Sequence, residues 1–265
     1  MLDFMFENPL DGKFKDIPSV KQLLTNNVGV VRRFDTSYCR YGYPYRKRTV
    51  LIGTLTHLSL KLPCPTEPCK QVSLHGRHAE EVAGLGSAQK NSLPPLLIDA
   101  ILDGWILRHG GRAEYFLLVD VFSGWGSIER HVTKKKESGQ WNNVFTFSND
   151  IVKRDHTQCN FDMSADTPFH PGTVLLFALK TLWPEHWSSI VAKGPLGWVK
   201  DNRVAVLFHC STPCKTYSTN ALATHRVSGT ADPVTPQATH DDAMNASLIE
   251  YFTQTVLDPA AAGAT

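Results

Sequence analysis

The sequence has few cysteines and no long hydrophobic run, and both shortages narrow the classes of protein it can be. Six cysteines in 265 residues are too few and too scattered for a disulfide framework. The apolar stretch 173–183 is too short to span a bilayer and is interrupted by Lys180. The first ten residues lack a basic segment followed by an apolar run, so no signal peptide is expected. We therefore expect reduced thiols in a soluble, intracellular protein with no membrane partner.

Charge of one sign is also scarce, because the net charge is only +2. The basic residues are nevertheless clustered, chiefly between positions 32 and 48. That stretch interleaves arginines and lysine with aromatic rings, which suits phosphate pairing and base stacking. A solvated basic face is the alternative, but the density of tyrosines favours contact with nucleic acid. The interleaved residues are Arg32, Arg33, Phe34, Tyr38, Arg40, Tyr41, Tyr43, Tyr45, Arg46, Lys47 and Arg48.

Apolar runs and helical spacing alternate along the chain. A continuous apolar run such as 115–122 is typical of a parallel strand covered on both faces. Strands that alternate with helices predict an α/β fold with a doubly wound, mostly parallel, Rossmann-like sheet. Residues 56–91 are weakly periodic and predict a small loop-rich insertion, and 259–265 predict a frayed tail. The predicted strands are 1–6, 28–34, 48–55, 115–122, 144–148 and 204–209, and the predicted helices are 17–24, 92–109 and 248–257.

A glycine-containing turn, Phe-Ser-Gly-Trp-Gly-Ser at 122–127, follows the apolar strand at 115–122 directly. A strand that enters such a turn and then a helix lets the backbone approach a ligand at the carboxyl edge of a sheet. Asp150, after the next strand, can accept hydrogen bonds from ribose hydroxyls. The turn lacks the third glycine of a dinucleotide fingerprint, so a nucleotide-like ligand without pyrophosphate suits it better. A tight turn without any ligand is the alternative.

A Pro-Cys pair follows the strand at 204–209, within the stretch HCSTPCKTYS. Cys214 lies where catalytic side chains often project from such sheets, with Lys215 beside it, while Cys210 is the better candidate for a buried thiol. Glu7, in Phe-Glu-Asn-Pro at 6–9, also follows an apolar strand. A thiolate and a carboxyl that face one pocket suit nucleophilic addition to a ring whose nitrogen must be protonated. The alternatives are a structural cysteine and an exposed turn glutamate.

Together these stretches resemble the DNA cytosine-5 methyltransferases. FSGWGS is similar to their cofactor loop, STPCKTYS to the Pro-Cys motif in its phage form, and FENP to their Glu-Asn motif. YCRYGYPYRKRT resembles the arginine motif, and NSLPPLLIDAI at 91–101 resembles the late Pro-Pro helix. The motif order is that of the family only when the chain is read as a circle. The resemblance therefore implies a circular permutation, as in the plant domains-rearranged methyltransferases, with a catalytic domain made of 1–55 and 92–258.

The resemblance implies a role for each matching residue, with S-adenosyl-L-methionine as the cofactor and DNA as the partner. Cys214 would attack C6 of a flipped-out cytosine, Glu7 would assist at N3, and Arg46 and Arg48 would hold the target base or its phosphate. Asn8, Arg40, Tyr45 and Pro213 would contact the substrate. The cofactor would be bordered by Asp120, Phe122, Ser123, Gly124, Trp125, Gly126, Asp150, Asp162, Asn91 and Ser92.

Three positions depart from the family pattern. Thr212 replaces the first proline of the phage motif, and Lys90 stands where the late motif usually has glycine. Arg46 and Arg48 are displaced by one residue relative to Pro44.

The short region 56–91 occupies the position of the target-recognition region of the family. It carries four donors, Cys64, Cys69, His75 and His78, which could complete a tetrahedral zinc site. A loop with unrelated Cys and His is the alternative.

The sequence thus predicts a DNA (cytosine-5-)-methyltransferase of permuted order. An RNA cytosine-5 methyltransferase is one alternative, and an inactive nucleic-acid-binding module with the same fold is another. The target sequence and the oligomeric state stay open at this point.

Overall fold

The computed structural model describes the chain apart from several stretches. The residues named above that lie outside the description are 65–77, 79–84 and 87–91 of the predicted insertion, Gly124 and Trp125, Asp162, Pro213 to Lys215, and the tail 259–265. The described residues are 1–64, 78, 85–86, 92–123, 126–150, 155, 157–159, 171–212, 216–217, 222–227 and 230–258.

A six-stranded mixed sheet forms the centre of the molecule, with the order β2-β3-β1-β6-β4-β5. In this sheet β1, β6, β4 and β5 run parallel to one another. On the other side of β1, β3 runs antiparallel to β1, and β2 runs antiparallel to β3. The strands are β1 Leu2–Pro9, β2 Arg32–Ser37, β3 Arg48–Gly53, β4 Tyr115–Asp120, β5 Val144–Ser148 and β6 Val204–Cys210.

Helices cover both faces of the sheet. Among the described residues they are α1 Pro18–Asn26, α2 Pro95–His109, α3 Ser127–Glu137, α4 Pro171–Leu182, α5 Trp187–Asp201, α6 Leu222–His225 and α7 Pro236–Phe252, which continues as a π-helical turn, Thr253–Leu257. Short 3₁₀ turns occupy Phe14–Asp16, Tyr38–Tyr41 and Pro184–His186. Proline opens α2 at a position where its missing N–H would have no helical partner.

The alternation of side chains along each strand divides the interior into two apolar cores. Phe4 and Phe6 of β1 pack with α1, α4, α5 and α7 on one face. Met5, between them, packs with α2 and α3 on the other. Successive side chains of a strand point to opposite faces, so a sheet with helices on both sides needs apolar residues at every position. The continuous apolar runs of β4 and β6 follow from this requirement, and the predicted α/β class is confirmed.

The first strand of the chain lies in the middle of the sheet, beside the last. β1 pairs in parallel with β6, with Leu2 opposite Val206 and Phe6 opposite Cys210. The circular motif order requires the strand at 1–6 to lie parallel to the strand at 204–209, and the structure has this pairing. The end of α7 also lies on β1, because the ring of Phe252 stacks on Phe4 at a centroid distance of 4.8 Å.

Two predicted boundaries differ from the structure by more than three residues. The strand predicted over 28–34 begins only at Arg32, because Val28 and Val30 are exposed and Gly29 between them has a φ of +87°. The last helix begins at Pro236, well before position 248, with Thr235 as its N-cap. Within the described part of the chain, no helix combines the length and the apolar character needed to cross a membrane. The predicted tail at 259–265 lies outside the described residues.

Candidate active site at the carboxyl edge of the sheet

Glu7 lies near the carboxyl end of β1 and is the centre of a polar cluster. Its Oε1 accepts a hydrogen bond from the Tyr38 hydroxyl at 3.1 Å, and its Oε2 accepts one from the Ser211 hydroxyl at 3.0 Å. The Lys47 ammonium lies 3.7 Å from Oε1. The residue is only 7% exposed, so these partners replace most of the water that a carboxylate needs. Glu7 is therefore a held carboxylate inside the fold, not an exposed turn residue.

Tyr38 and Lys47 shape the wall of this cluster that comes from the antiparallel edge. Tyr38 follows β2 directly, and the Lys47 ammonium lies 3.2 Å from its hydroxyl and 4.6 Å from its ring centroid. Burial, and then the charge of Glu7, raise the pKa of Tyr38 well above its ordinary value. The phenol therefore keeps its proton and acts as a hydrogen-bond donor toward Glu7.

The two residues that precede the Pro-Cys pair, Ser211 and Thr212, form hydrogen bonds with the end of β1. Ser211 donates to Glu7, and the Asn8 amide donates to the Thr212 hydroxyl at 2.8 Å in a buried contact. Cys214 and Pro213 lie outside the described residues, so their predicted positions have no direct description. The two fastened residues immediately precede Pro213 in the sequence.

Cys210 is the other thiol of this stretch and is fully buried at the end of β6. Burial, and then the charge of Asp120, raise the pKa of its thiol well above the ordinary value. A thiol held in its protonated form is a poor nucleophile. The prediction that Cys210 is the buried member of the pair is confirmed.

The predicted cofactor turn connects β4 to α3 at the same edge. Ser123 donates its backbone N–H to the Asn149 carbonyl at 3.0 Å, and Gly126 donates to the Ser123 carbonyl at 2.8 Å. Gly126 has a φ of +63°, a left-handed conformation that glycine adopts without steric cost. Phe122 beside it is half-buried. Gly124 and Trp125 lie outside the described residues.

Two further predicted cofactor regions converge on this turn. The Ser127 hydroxyl accepts a hydrogen bond from the Leu93 N–H at 3.1 Å, which joins the segment before α2 to the start of α3 and brings half-buried Ser92 nearby. Asp150 follows β5, the strand paired with β4, and is also half-buried. A turn, a carboxylate and a helix start at one sheet edge fit a nucleoside-bearing cofactor. Asn91 and Asp162 lie outside the described residues.

Asp120, also predicted to border the cofactor, belongs to a buried charged cluster. Its Oδ1 lies 3.0 Å from Nδ1 of His209 on the adjacent β6. Burial alone would lower the pKa of His209, but the Asp120 carboxylate outweighs it and raises that pKa. Burial, and then Asp120, also raise the pKa of Glu129 in α3 well above its ordinary value. Sequence reasoning missed His209 and Glu129, although a histidine at the end of an apolar strand was a visible signal.

The basic stretch contributes differently from what its spacing predicted. Lys47, not Arg46 or Arg48, forms the ion pair with Glu7. Lys47 directly precedes β3, and its ammonium is the one in this stretch that lies beside both Glu7 and the Tyr38 hydroxyl. Arg48 instead pairs with the partly exposed Asp11 at 2.6 Å. A role for Arg46 and Arg48 at the target base stays a prediction.

Two of the remaining predicted substrate-binding residues, Arg40 and Tyr45, differ in their exposure to solvent. Arg40 is exposed, as a contact to phosphate requires. Tyr45 is only 1% exposed, and its ring packs at 5.1 Å from Tyr43, between centroids. Tyr45 therefore supports the interior of the edge, and its predicted substrate contact stays a prediction.

A group of sulfur and nitrogen donors lies near the end of β2. Cys39, Cys64 and His78 place their ligand atoms within 4.8 Å of one another, and both thiols are buried. Burial, and then the charge of Arg46, lower the pKa of His78. Two of the four predicted metal ligands, Cys64 and His78, are thus brought together. Cys69 and His75 lie outside the described residues, and Cys39 was not predicted.

Comparison with protein-family models, with curated proteins and with solved structures gives no significant match.

Proposed function

We propose that this protein transfers a methyl group from S-adenosylmethionine to C5 of cytosine in DNA. The observation that carries the proposal is the parallel pairing of β1 with β6, which brings Glu7 within 3.0 Å of Ser211, just before Pro213-Cys214. Nucleophilic addition to cytosine needs a thiolate and a group at the ring nitrogen on one pocket. Glu7 lies at the carboxyl edge of the sheet, and Cys214 follows in the sequence two positions after Thr212, whose hydroxyl accepts a hydrogen bond from Asn8 of β1.

The cofactor would be held by the turn after β4, by Asp150 and by the segment before α2. Bound there, S-adenosylmethionine would supply an electrophilic methyl group. Glycine at 124 and 126 leaves room for close approach of the backbone, and the half-buried Phe122 offers an apolar surface. The buried Asp120–His209 pair lies directly beneath this turn and stabilises the ends of two neighbouring strands.

Cys214 would act on a cytosine turned out of the duplex, since the ring is unreachable inside the stack. Its thiolate forms a bond to C6, and the electron pair of the C5–C6 double bond becomes available at C5. Glu7, carrying a proton, would donate it to N3 and accept a hydrogen bond from the amino group, which offsets the negative charge that develops on the ring. C5 would then take the methyl group as its bond to the sulfonium sulfur of S-adenosylmethionine breaks, which leaves S-adenosylhomocysteine. Water would take the C5 proton, and N3 would return its proton to Glu7. The electron pair would re-form the C5–C6 double bond, and the bond from C6 to sulfur would break to return the Cys214 thiolate.

The hydrogen-bond and ion-pair partners of Glu7 would fix the orientation of its side chain in this scheme. A buried carboxylate that is held from three sides cannot rotate freely, so it stays aimed at the position of the ring. Tyr38 and Ser211 fix one oxygen each, while Lys47 supplies a compensating charge. The chain therefore stabilises one orientation of the acid before the substrate arrives.

A circularly permuted order is part of the proposal. The family order requires that α7 run on into β1, and the stacking of Phe252 on Phe4 supports such a connection. Permutation is tolerated where the new break falls in a surface connection and the former termini lie close together.

The proposal is tested with an oligonucleotide that carries 5-fluorocytosine, in which fluorine blocks the final loss of the C5 proton. Incubation with S-adenosylmethionine should give a denaturation-resistant protein–DNA adduct, and peptide mapping should find it at Cys214. The Cys214→Ser protein should form none, while Cys210→Ser is the matched thiol control and should still form it. An adduct with RNA alone would indicate an RNA methyltransferase. A mobility shift without any adduct or methyl transfer would indicate an inactive binding module.

A further inference from the structure

Three donors near the end of β2 lie close enough together to hold a metal ion. Cys64 Sγ and His78 Nε2 are 3.6 Å apart. Two ligands on a tetrahedral zinc ion, with bonds of about 2.3 Å to sulfur and 2.0 Å to nitrogen, are separated by roughly 3.6 Å. Cys39 brings a second sulfur within 4.8 Å of both other ligand atoms. The three donors are therefore already close to the spacing that zinc requires.

The two thiols do not belong to either apolar core. Cys39 and Cys64 are 4% and 3% exposed and pack with each other, apart from both large clusters. Neither is in a disulfide. Cysteine serves as a small apolar residue when it lies within a core. Two buried thiols that meet outside the cores, beside an imidazole, are better explained by a shared ligand.

Backbone and side-chain hydrogen bonds hold this geometry without the metal. Cys64 donates its N–H to the Ser37 hydroxyl at 3.0 Å, and Thr36 donates to the Lys61 carbonyl at 2.6 Å. The Lys61 N–H in turn donates to the Tyr41 hydroxyl at 2.8 Å. These contacts fasten residues 61–64 alongside the 3₁₀ turn that carries Cys39. Two ligands are thus preorganised by the fold, which lowers the entropic cost of binding.

We propose that Cys39, Cys64 and His78 bind a structural zinc ion. A set with two sulfurs and one nitrogen favours zinc over magnesium or calcium, which prefer oxygen. Binding releases the two thiol protons to solvent and leaves thiolates on the metal. The ion fastens the insertion at 56–91 to the end of β2, next to Tyr38, the hydrogen-bond donor to Glu7.

The metal content of the purified full-length protein tests this site independently of methyl transfer. After dialysis against zinc and removal of excess metal, mass spectrometry of the elements should find about one zinc per chain. Cys39→Ser, Cys64→Ser and His78→Ala should each lose most of it. Cys159→Ser is the matched control, because Cys159 lies elsewhere and its thiol donates to Asn149 at 3.2 Å.

Two further measurements keep the outcome interpretable if a variant folds poorly. Cobalt added to metal-free wild-type protein should give the intense visible absorption of a tetrahedral thiolate site. Chelation should lower the melting temperature by several degrees, because metal bound only to the native state stabilises it. Wild-type protein that folds but takes up neither zinc nor cobalt would overturn the proposal. So would alkylation and mass analysis that find Cys39 and Cys64 joined in a disulfide.

Discussion

The Ser211 hydroxyl donates a hydrogen bond to the Glu7 carboxylate at 3.0 Å, although the two residues are 204 positions apart in the chain. The contact exists because β1 and β6 are parallel neighbours whose carboxyl ends share one edge of the sheet. The residues on either side of it are the ones that resemble the Glu-Asn and Pro-Cys motifs. If the proposed methyl transfer takes place at this edge of the sheet, substitutions there should impair it.

Glu7→Gln should lower turnover by about a hundredfold or more, a scale typical of losing a positioned acid–base group. Glutamine keeps the shape of the side chain but cannot hold a charge or transfer a proton. The rate of methyl transfer under single-turnover conditions is the measurement. Glu114→Gln is the control, because Glu114 is exposed and precedes β4, at the opposite edge of the sheet. An equal loss in both variants would contradict a role for Glu7 in the chemistry.

Lys47 and Glu7 should be energetically coupled. In a double-mutant cycle of Lys47→Met and Glu7→Gln, we expect a coupling free energy of about 0.5–3 kcal/mol, the range for residues in contact. The ammonium and carboxylate are 3.7 Å apart and mostly buried, so solvent screens them little. Urea unfolding of the four proteins gives the coupling. Strictly additive changes would show that the charges do not interact across the site.

Glu129→Gln should flatten the dependence of stability on pH. The pKa of Glu129 is raised in the folded protein, so the native state binds more protons than the unfolded state above the ordinary value of 4.5. Stability from this group is complete below that pH and is lost as the pH rises through the folded pKa. Glutamine has no proton to lose. Unfolding free energies at several pH values should therefore fall less steeply in the variant, and an unchanged slope would contradict this assignment.

Gly124→Leu should abolish binding of S-adenosylmethionine, because a bulky side chain in the turn would occupy the space of the ligand. Gly111→Leu is the control, since a Cβ at Gly111 meets nothing within 4 Å. Isothermal calorimetry measures the affinity, and circular dichroism checks that each variant is folded. Unchanged affinity in Gly124→Leu would move the cofactor pocket to another part of the edge.

The strands were predictable from the sequence because a buried strand is apolar over its whole length. The runs at 115–122 and 204–209 needed only local composition to be recognised, and β4 and β6 occupy most of those ranges. The boundary at 28–34 was wrong because Val28 and Val30 have strand propensity but lie exposed in a turn. Propensity is a weak guide where tertiary packing does not use the side chain.

The candidate site could be predicted only where the local sequence around a single residue carried the signal. Glu7 was recognised because an acid after an apolar strand projects from the carboxyl edge. Its partners Lys47 and Tyr38 were not singled out, since their contact with Glu7 depends on the pairing of β2 and β3 beside β1. Cys39 was missed for a similar reason: it comes from a turn 25 residues before Cys64, and only the fold brings the two sulfurs together.

The sequence by itself determined the alternation of strands and helices, the covering of both sheet faces and the chemical types of residue available at the strand ends. These properties depend on local periodicity and burial, which can be recognised from the spacing of apolar residues in a short segment of the sequence. The tertiary structure decided that β1 lies between β3 and β6, that Lys47 rather than an arginine meets Glu7, and that Cys39 joins Cys64 and His78. Such contacts form between residues far apart in the chain, where pairing depends on the packing of the whole sheet and its helices.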